Sequence, residues 1–213
     1  MRLLRNVLHT IKEHPNSVDT IIDSFSDNQH LSKESLLDVL ETNGLVDQNS
    51  TVVILGCWYG SILIDRLAPI VKEIVAVDID KEAIQIAKEF FDHYDNIEWV
   101  AADAFNDKDR AYYKNATLVI NTSYEHMITM VEWEYWDIIK TDPLYMAFQS
   151  NNMFDIEGHI NCVKTIDDFR DQLPKGFWFK EECIKDSRGT RFMLVGQYLR
   201  DEEFIKMNKD ASS

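Results

Sequence analysis

The residues TVVILGCWYG, at positions 51–60, constrain the fold more than any other part of the sequence. Five β-preferring residues, Thr51–Leu55, lead straight into a turn bounded by Gly56 and Gly60. The next residues, SILIDRL at 61–67, have the apolar spacing of a helix. A strand, a glycine turn and a helix in this order place backbone N–H groups at the carboxyl edge of a parallel sheet, where such sheets bind nucleotide-like ligands.

Strand-like and helical patterns alternate after this segment. The predicted strands cover residues 51–55, 73–77, 97–100, 116–121 and 145–149, and the predicted helices cover 61–67, 81–91 and 165–173. Residues 125–140 are compatible with either a helix or an aromatic-rich loop. The alternation predicts a buried parallel sheet with right-handed crossovers. Two further strand-like runs, 177–184 and 190–198, are joined by KDSRG and predict a terminal antiparallel hairpin.

The residues before the first strand have helical rather than strand periodicity. Residues 2–14 form one predicted helix, Ser17 is a candidate cap for a second, and Ser32 is a candidate cap for a third that ends at Gly44. We therefore expect residues 1–48 to form a small helical region that either covers one flank of the core or acts as a lid over a substrate. The predicted fold class is α/β: a seven-stranded, mostly parallel sheet with an antiparallel C-terminal hairpin, preceded by this helical region.

The charge of the chain restricts its partners. The 213 residues include 37 acidic and 22 basic residues, a net charge of −15, and the basic residues form no cluster. A nucleic-acid or anionic membrane surface requires clustered Lys and Arg, so neither is an expected partner, and a small-molecule substrate fits better. No run approaches the ~20 apolar residues of a membrane span.

Cysteine usage points to a reducing compartment. Cys57, Cys162 and Cys183 are odd in number and scattered, without a C-x-x-C pair. This pattern argues against a disulfide framework and against a zinc site, so no metal is expected, and a cytoplasmic location is predicted.

Two aspartates follow the next two predicted strands. Asp78 ends the second strand, about 20 positions past the glycine turn, where a carboxylate can accept hydrogen bonds from both hydroxyls of a ribose. The alternative is that Asp78 caps the helix at 81–91, a role that Asp80 could fill instead. Asp103 follows the third strand, where it could bind an exocyclic amino group or serve as an ordinary turn residue.

Together these segments resemble the successive motifs of class I S-adenosylmethionine-dependent methyltransferases, which have a Rossmann-like fold. The resemblance is carried by LGCWYG (55–60), VDID (77–80), ADAF (102–105) and LVIN (118–121), and it covers roughly residues 50–200, including the terminal hairpin. It implies that residues 49–213 form an S-adenosylmethionine-binding domain. The implied cofactor-binding residues are Gly56, Cys57, Trp58, Tyr59 and Gly60 beside the methionine end, Asp78 and Ile79 at the ribose, and Asp103, Ala104 and Asn121.

The glycine turn departs from the family pattern at one position. The family turn reads G-x-G-x-G, and here Trp58 replaces the middle glycine. We expect the Trp58 side chain to turn away from the cofactor and form a wall of the pocket.

The residues after the fourth strand supply the candidate catalytic groups. NTSYEHM, at 121–127, resembles the Asn-Pro-Pro-Tyr motif of amino-group methyltransferases, with Thr122 and Ser123 in place of both prolines. The resemblance implies that Asn121 contacts the target amine and that Tyr124 stacks on the substrate. A base is needed to remove the acceptor's proton, and Glu125 and His126 are the candidates.

Polar and aromatic residues further along are candidates for substrate contact. Gln149, Asn151 and Asn152 follow the fifth strand and, with His159 and Asn161 downstream, could bind a polar substrate, or serve as ordinary loop residues. Trp133, Tyr135 and Trp136 could close the pocket or pack in the core.

The leading functional hypothesis is an S-adenosylmethionine-dependent methyltransferase acting on a small molecule or amine. Two alternatives stay open. One is an aminopropyl- or nicotianamine-type transferase that uses the other arm of the same cofactor, and the other is a non-catalytic binding subunit with a methyltransferase fold.

Overall fold

The computed structural model describes residues 2–106, 111–185 and 187–200. The helices are α1 (Arg2–Glu13), α2 (Val18–Ser24), α3 (Asp27–Thr42), α4 (Leu63–Leu67), α5 (Lys81–Phe90) and α6 (Ile166–Arg170). The strands are β1 (Thr51–Leu55), β2 (Glu73–Asp78), β3 (Ile97–Ala101), β4 (Leu118–Asn121), β5 (Tyr145–Asn151), β6 (Gly176–Lys185) and β7 (Thr190–Tyr198). None of the helices in these ranges is long and apolar enough to cross a bilayer.

The seven strands form one sheet in the order β3-β2-β1-β4-β5-β7-β6. The pairs β1–β2, β1–β4, β2–β3 and β4–β5 are parallel, whereas β7 is antiparallel to both of its neighbours, β5 and β6. The direction in which successive strands are added to the sheet reverses between β1 and β4. In sheets of this kind the ligand crevice lies at the carboxyl ends of the strands at such a reversal. The predicted fold class is confirmed.

The sheet is covered by apolar layers on both faces. All five residues of β1 are buried, and alternate residues point to opposite layers. Val52 and Ile54 belong to the layer that contains the N-terminal helices and α5, and Val53 and Leu55 belong to the layer that contains the aromatic residues before β5. The continuous apolar run of β1 therefore reflects a strand buried on both sides.

The N-terminal helices pack into the first of these layers. Leu36, Leu37 and Leu40 of α3 are fully buried in it, together with Ile21 of α2. The predicted cap at Ser32 was wrong: α3 begins at Asp27, after Ser26 in an extended conformation, and Ser32 is buried inside the helix. The stop at Gly44 is confirmed by its φ of +63°.

Two other helix starts differ in detail from the predictions. Ser17 precedes α2, but its hydroxyl donates to Glu82 Oε1 at 2.9 Å rather than capping α2. The helix predicted from residue 61 begins at Leu63, because Ser61 and Ile62 complete the glycine turn.

The segment that the sequence left open, residues 125–140, forms short 3-10 turns rather than an α-helix. The turns are Tyr124–His126, Met130–Glu132 and Glu134–Asp137. Trp133 and Trp136 are both buried in the core, where their indole N–H groups donate to the carbonyls of Ala104 and Met130 at 2.8 Å. The described side chains therefore make this segment part of the second apolar layer, and the Tyr135 side chain lies outside the described residues.

Candidate functional site

A cavity of about 710 Å³ opens at the carboxyl ends of β1, β2, β3 and β4. Its walls come from the glycine turn after β1, the loops after β2, β3, β4 and β5, the N-terminal helices, and the hairpin between β6 and β7. A volume of this size is typical of sites for small ligands.

The glycine turn after β1 is tightly packed. Gly56 and Gly60 have φ values of +64° and +63°, and a Cβ on Gly56 would lie 2.4 Å from Cε of Met127. A Cβ on Gly60 would lie 2.3 Å from Cδ1 of Ile64. The turn is tied to β2, because the N–H of Cys57 donates to the carbonyl of Val77 at 3.0 Å. The positive φ therefore favours glycine at both positions, and at Gly60 the close Ile64 side chain adds a steric reason.

Trp58 adopts a backbone conformation that glycine usually occupies. Its φ of +49° is the only positive value among the non-glycine residues of the described ranges. The indole is half-buried, stacks on Tyr59 with ring centroids 4.7 Å apart, and forms part of the cavity wall. The backbone thus follows the glycine-type path despite the large side chain.

Asp78 connects the end of β2 to the glycine turn. Its Oδ2 accepts the N–H of Trp58 at 2.6 Å and its Oδ1 accepts the N–H of Asp80 at 2.9 Å. Asp80, not Asp78, caps α5 by accepting the N–H groups of Glu82 and Ala83. Burial raises the pKa of Asp78 above its usual value, against the effect of these hydrogen bonds. Asp78 lines the cavity, so its remaining acceptor positions are available there.

Asp103 lies at the next loop around the cavity. Its Oδ1 accepts the N–H of Phe105 at 2.9 Å and its Oδ2 accepts the side-chain amide of Asn106 at 2.7 Å, so the carboxylate also shapes its own loop. Ala104 and Ile79 complete this part of the wall, Ala104 buried and Ile79 exposed. The two predicted aspartates and these two neighbours are therefore brought to one cavity.

The opposite end of the cavity carries ionisable side chains. Glu125 is buried, and its Oε1 lies 3.8 Å from Nη1 of Arg191, which is also buried. His126 is exposed beside it, and its ring makes an edge-to-face contact with the ring of His159, with centroids 4.6 Å apart. Burial lowers the pKa of His159.

Lys33 of α3 reaches the same end of the cavity. Its ammonium donates to Oε1 of Gln29, and its side chain is half-buried. Desolvation, reinforced by the positive charge of Arg191, lowers the pKa of Lys33 to about 7. A lysine with this pKa can exchange a proton near neutral pH.

Several predicted site residues do not line the cavity. The Tyr124 ring is fully buried, and its hydroxyl donates to the carbonyl of Gln172 at 2.6 Å and accepts the N–H of Met130 at 2.8 Å. This arrangement leaves no face for the stacking that the motif implied. Tyr59 is also buried, with its hydroxyl 2.9 Å from that of Thr20.

The predicted amide residues lie behind the cavity wall. Asn121 is buried, with its Oδ1 accepting the N–H of Ser123 at 3.0 Å and its Nδ2 directed at Sδ of Met127. Gln149 is buried and donates to the carbonyl of Ser32 at 2.7 Å. Asn151 and Asn152 accept backbone N–H groups, from Met153 at 2.9 Å and from Thr190 at 2.8 Å. In the structure these four side chains fix loops and the position of α3.

The cavity also contains residues that the sequence pattern did not predict. They come from the N-terminal helices, from the loop after β5 and from the β6–β7 hairpin: Asp23, Gln29, Lys33, Met153, Arg188 and Arg191. Each is an ordinary residue in its local context, and only the fold brings these segments together.

Comparison with known proteins supports the fold assignment. No family model matches the sequence, and no curated protein sequence matches it. Among solved structures, the N-methyltransferase NodS from Bradyrhizobium japonicum WM9 in complex with S-adenosyl-L-homocysteine is similar with a TM-score of 0.66 and 13% identity, over 83% of this chain and 90% of that chain. A SAM-dependent methyltransferase from Aquifex aeolicus is similar with a TM-score of 0.54 and 14% identity, over 77% of this chain and 89% of that chain.

A third similar structure is fibrillarin from Aeropyrum pernix in complex with natively bound S-adenosyl-L-methionine. Its TM-score is 0.54 at 13% identity, over 71% of this chain and 67% of that chain. The chain therefore has the fold of class I S-adenosylmethionine-dependent methyltransferases. At these identities the similarity is one of fold, and the activity has to be argued from the site.

Proposed function

We propose that this protein is an S-adenosylmethionine-dependent methyltransferase that acts on a small molecule, with an amine as the first candidate for the acceptor. The observation that carries the proposal is the position of Asp78. It stands at the carboxyl end of β2, is bonded to the glycine turn of β1 and faces a cavity of about 710 Å³. A carboxylate at this point of such a sheet is suited to the two hydroxyls of a ribose.

The proposed cofactor contacts follow the wall of the cavity. The Gly56–Gly60 turn would lie beside the methionine part, Asp78 and Ile79 at the ribose, and Asp103 and Ala104 at the adenine. Asp78 and Asp103 each use both oxygens within the protein, yet each carboxylate has about four acceptor positions, so both can accept further hydrogen bonds. Asn121 is proposed to support the turn after β4 rather than to touch the cofactor.

The acceptor would bind at the end of the cavity that holds Glu125 and His126. Bound S-adenosylmethionine supplies a methyl group on a sulfonium, so the reaction is an in-line displacement that depends mainly on positioning. When the acceptor's nitrogen or oxygen forms its bond to the methyl carbon, the bond from carbon to sulfur breaks and the acceptor releases a proton. Glu125 or His126 would accept this proton, and the N-terminal helices that carry Lys33 would limit access of water.

Calorimetry with S-adenosylhomocysteine tests the cofactor assignment. Asp78→Ala should weaken binding by about 1–3 kcal/mol, because it removes a half-buried acceptor that faces the cavity. Asp78→Asn, which keeps one acceptor oxygen, should have an intermediate effect. Asp38→Ala is the matched control, since Asp38 is an exposed residue of α3 that does not line the cavity. Unchanged affinity in Asp78→Ala would refute the nucleoside assignment.

Two further measurements separate the alternatives. Incubation with S-adenosylmethionine and a small-molecule extract should yield S-adenosylhomocysteine, whereas methylthioadenosine would indicate transfer of the other arm of the cofactor. If the wild-type protein showed neither binding heat nor a thermal shift with millimolar cofactor, the non-catalytic alternative would be favoured.

A further inference from the structure

We propose that Glu125, His126 and His159 form a binding site for a divalent transition-metal ion in the cavity wall. One carboxylate oxygen and one ring nitrogen from each histidine lie within 4.8 Å of one another. All three side chains line the cavity. Two imidazoles and one carboxylate are a ligand set suited to Zn²⁺, Fe²⁺ or Co²⁺ with at least one coordination position left open.

The hydrogen bonds of the two histidines direct their ligand atoms. Nδ1 of His126 lies 3.0 Å from the carbonyl of Gly158, and Nδ1 of His159 lies 3.0 Å from the carbonyl of Met153. A carbonyl can only accept, so Nδ1 is the donor in each ring, and in the neutral imidazole Nε2 then carries the lone pair that could bind a metal. Metal-binding histidines in proteins are typically held by this kind of bond from the second ring nitrogen to a backbone carbonyl.

Glu125 supplies an independent indication of a ligand. Its side chain is about 95% buried, and its Oε2 has no hydrogen-bond partner within residues 2–106, 111–185 and 187–200. Its other oxygen, Oε1, faces Arg191 at 3.8 Å, which orients the carboxylate. A buried carboxylate oxygen without a partner is costly, and a metal ion held between Glu125 and the two imidazoles would satisfy it.

Binding requires a small closure of the three side chains. Ligands held about 2.1 Å from one ion lie about 3–3.5 Å apart, somewhat closer than the 4.8 Å limit that the three atoms satisfy here. His126 is exposed and is the last residue of the short Tyr124–His126 turn, so its ring has room to approach the other two.

The position of the site gives the ion a role in the reaction, and this part of the inference rests on the proposed function. The open coordination position faces the cavity, where an acceptor oxygen or nitrogen could bind it. Coordination would lower the pKa of the bound group, so the acceptor would lose its proton more readily, and with Glu125 and His126 holding the ion this proton would pass to solvent rather than to either side chain. The favoured acceptor then includes hydroxyl compounds as well as amines.

Titration of metal-free, tag-free protein with Co²⁺ tests the site directly. We expect one Co²⁺ per chain, with the visible absorption of a low-coordinate ion bound to nitrogen and oxygen. Glu125→Gln, His126→Ala and His159→Ala should each weaken binding at least about tenfold. His30→Ala is the control, because His30 is an exposed histidine of α3 outside the cavity, and its affinity should equal that of the wild type.

Two outcomes would overturn the proposal. One is the absence of stoichiometric Co²⁺ binding to the wild-type protein. The other is unchanged Co²⁺ affinity in both Glu125→Gln and His159→Ala, with circular dichroism showing that the variants are folded. Calorimetry with S-adenosylhomocysteine on the same preparations keeps the two proposals apart, since cofactor binding without Co²⁺ binding would remove only the metal site.

Discussion

Replacement of Tyr124 by phenylalanine distinguishes the role that the sequence motif implies from the role that the structure indicates. The motif places an aromatic ring on the substrate, and phenylalanine keeps that ring. In the structure the important group is the hydroxyl, which accepts the N–H of Met130 at 2.8 Å and donates to the carbonyl of Gln172 at 2.6 Å. The substitution should therefore reduce stability.

The size of the stability loss depends on what each hydrogen-bond partner of the Tyr124 hydroxyl loses. Met130 is fully buried, and its N–H would be left without an acceptor. The carbonyl of Gln172 would keep the hydroxyl of Thr129 as a donor at 2.7 Å. One orphaned buried donor costs about 1–3 kcal/mol. For a chain of this size, each kcal/mol lowers Tm by about 2–4 °C, so about 2 kcal/mol corresponds to a decrease of about 4–8 °C.

Thermal and urea unfolding of Tyr124→Phe provide the measurement. Tyr145→Phe is a matched control, because Tyr145 is half-buried at the start of β5 and no hydrogen bond of its hydroxyl occurs within the described residues. That change should stay within about 0.5 kcal/mol. If Tyr124→Phe unfolded at the wild-type temperature but altered turnover, the hydroxyl would act on a ligand and the structural account would be refuted.

Three other predictions concern the backbone and the charge of the site. Trp58→Gly should be about 1 kcal/mol more stable than Trp58→Ala, because both variants lose the indole and only alanine has a Cβ at a φ of +49°. Equal stability of the two variants in urea unfolding would contradict this prediction. Gly44→Ala should lower the free energy of unfolding by about 1 kcal/mol, as measured by chemical denaturation. A Cβ at this position would meet no atom within 4 Å, so the whole effect would come from the φ of +63°. The raised pKa of Asp78 means that the folded state binds its proton more tightly than the unfolded state, so this contribution to stability is present below pH 3.8 and is lost as the pH rises through the folded pKa. As the pH rises from 3.8 through the folded pKa of Asp78, the stability of Asp78→Asn should therefore increase relative to that of the wild type. Urea unfolding of both proteins across this pH range is the measurement, and an unchanged difference in stability would count against the burial of Asp78.

The sequence alone determined the sheet and the edge of the sheet at which the candidate site lies. The apolar run of β1, the paired glycines and the placement of Asp78 and Asp103 after successive strands are local patterns, because strand burial, turn conformation and helix capping depend on neighbouring residues. For the same reason Asp80 was available as the cap of α5, and the structure uses it there.

The remaining lining of the cavity, around Glu125 and Arg191, was decided only by tertiary structure. Tyr124 and Gln149 follow or occupy strands in the same way as Asp78 does, yet packing buries both and satisfies their polar groups inside the protein. Conversely, Lys33 and Arg191 come from segments that share no local pattern, and long-range folding brings them to one cavity. Whether a polar side chain faces a ligand or a buried carbonyl depends on what packs against it, and that partner is distant in the sequence.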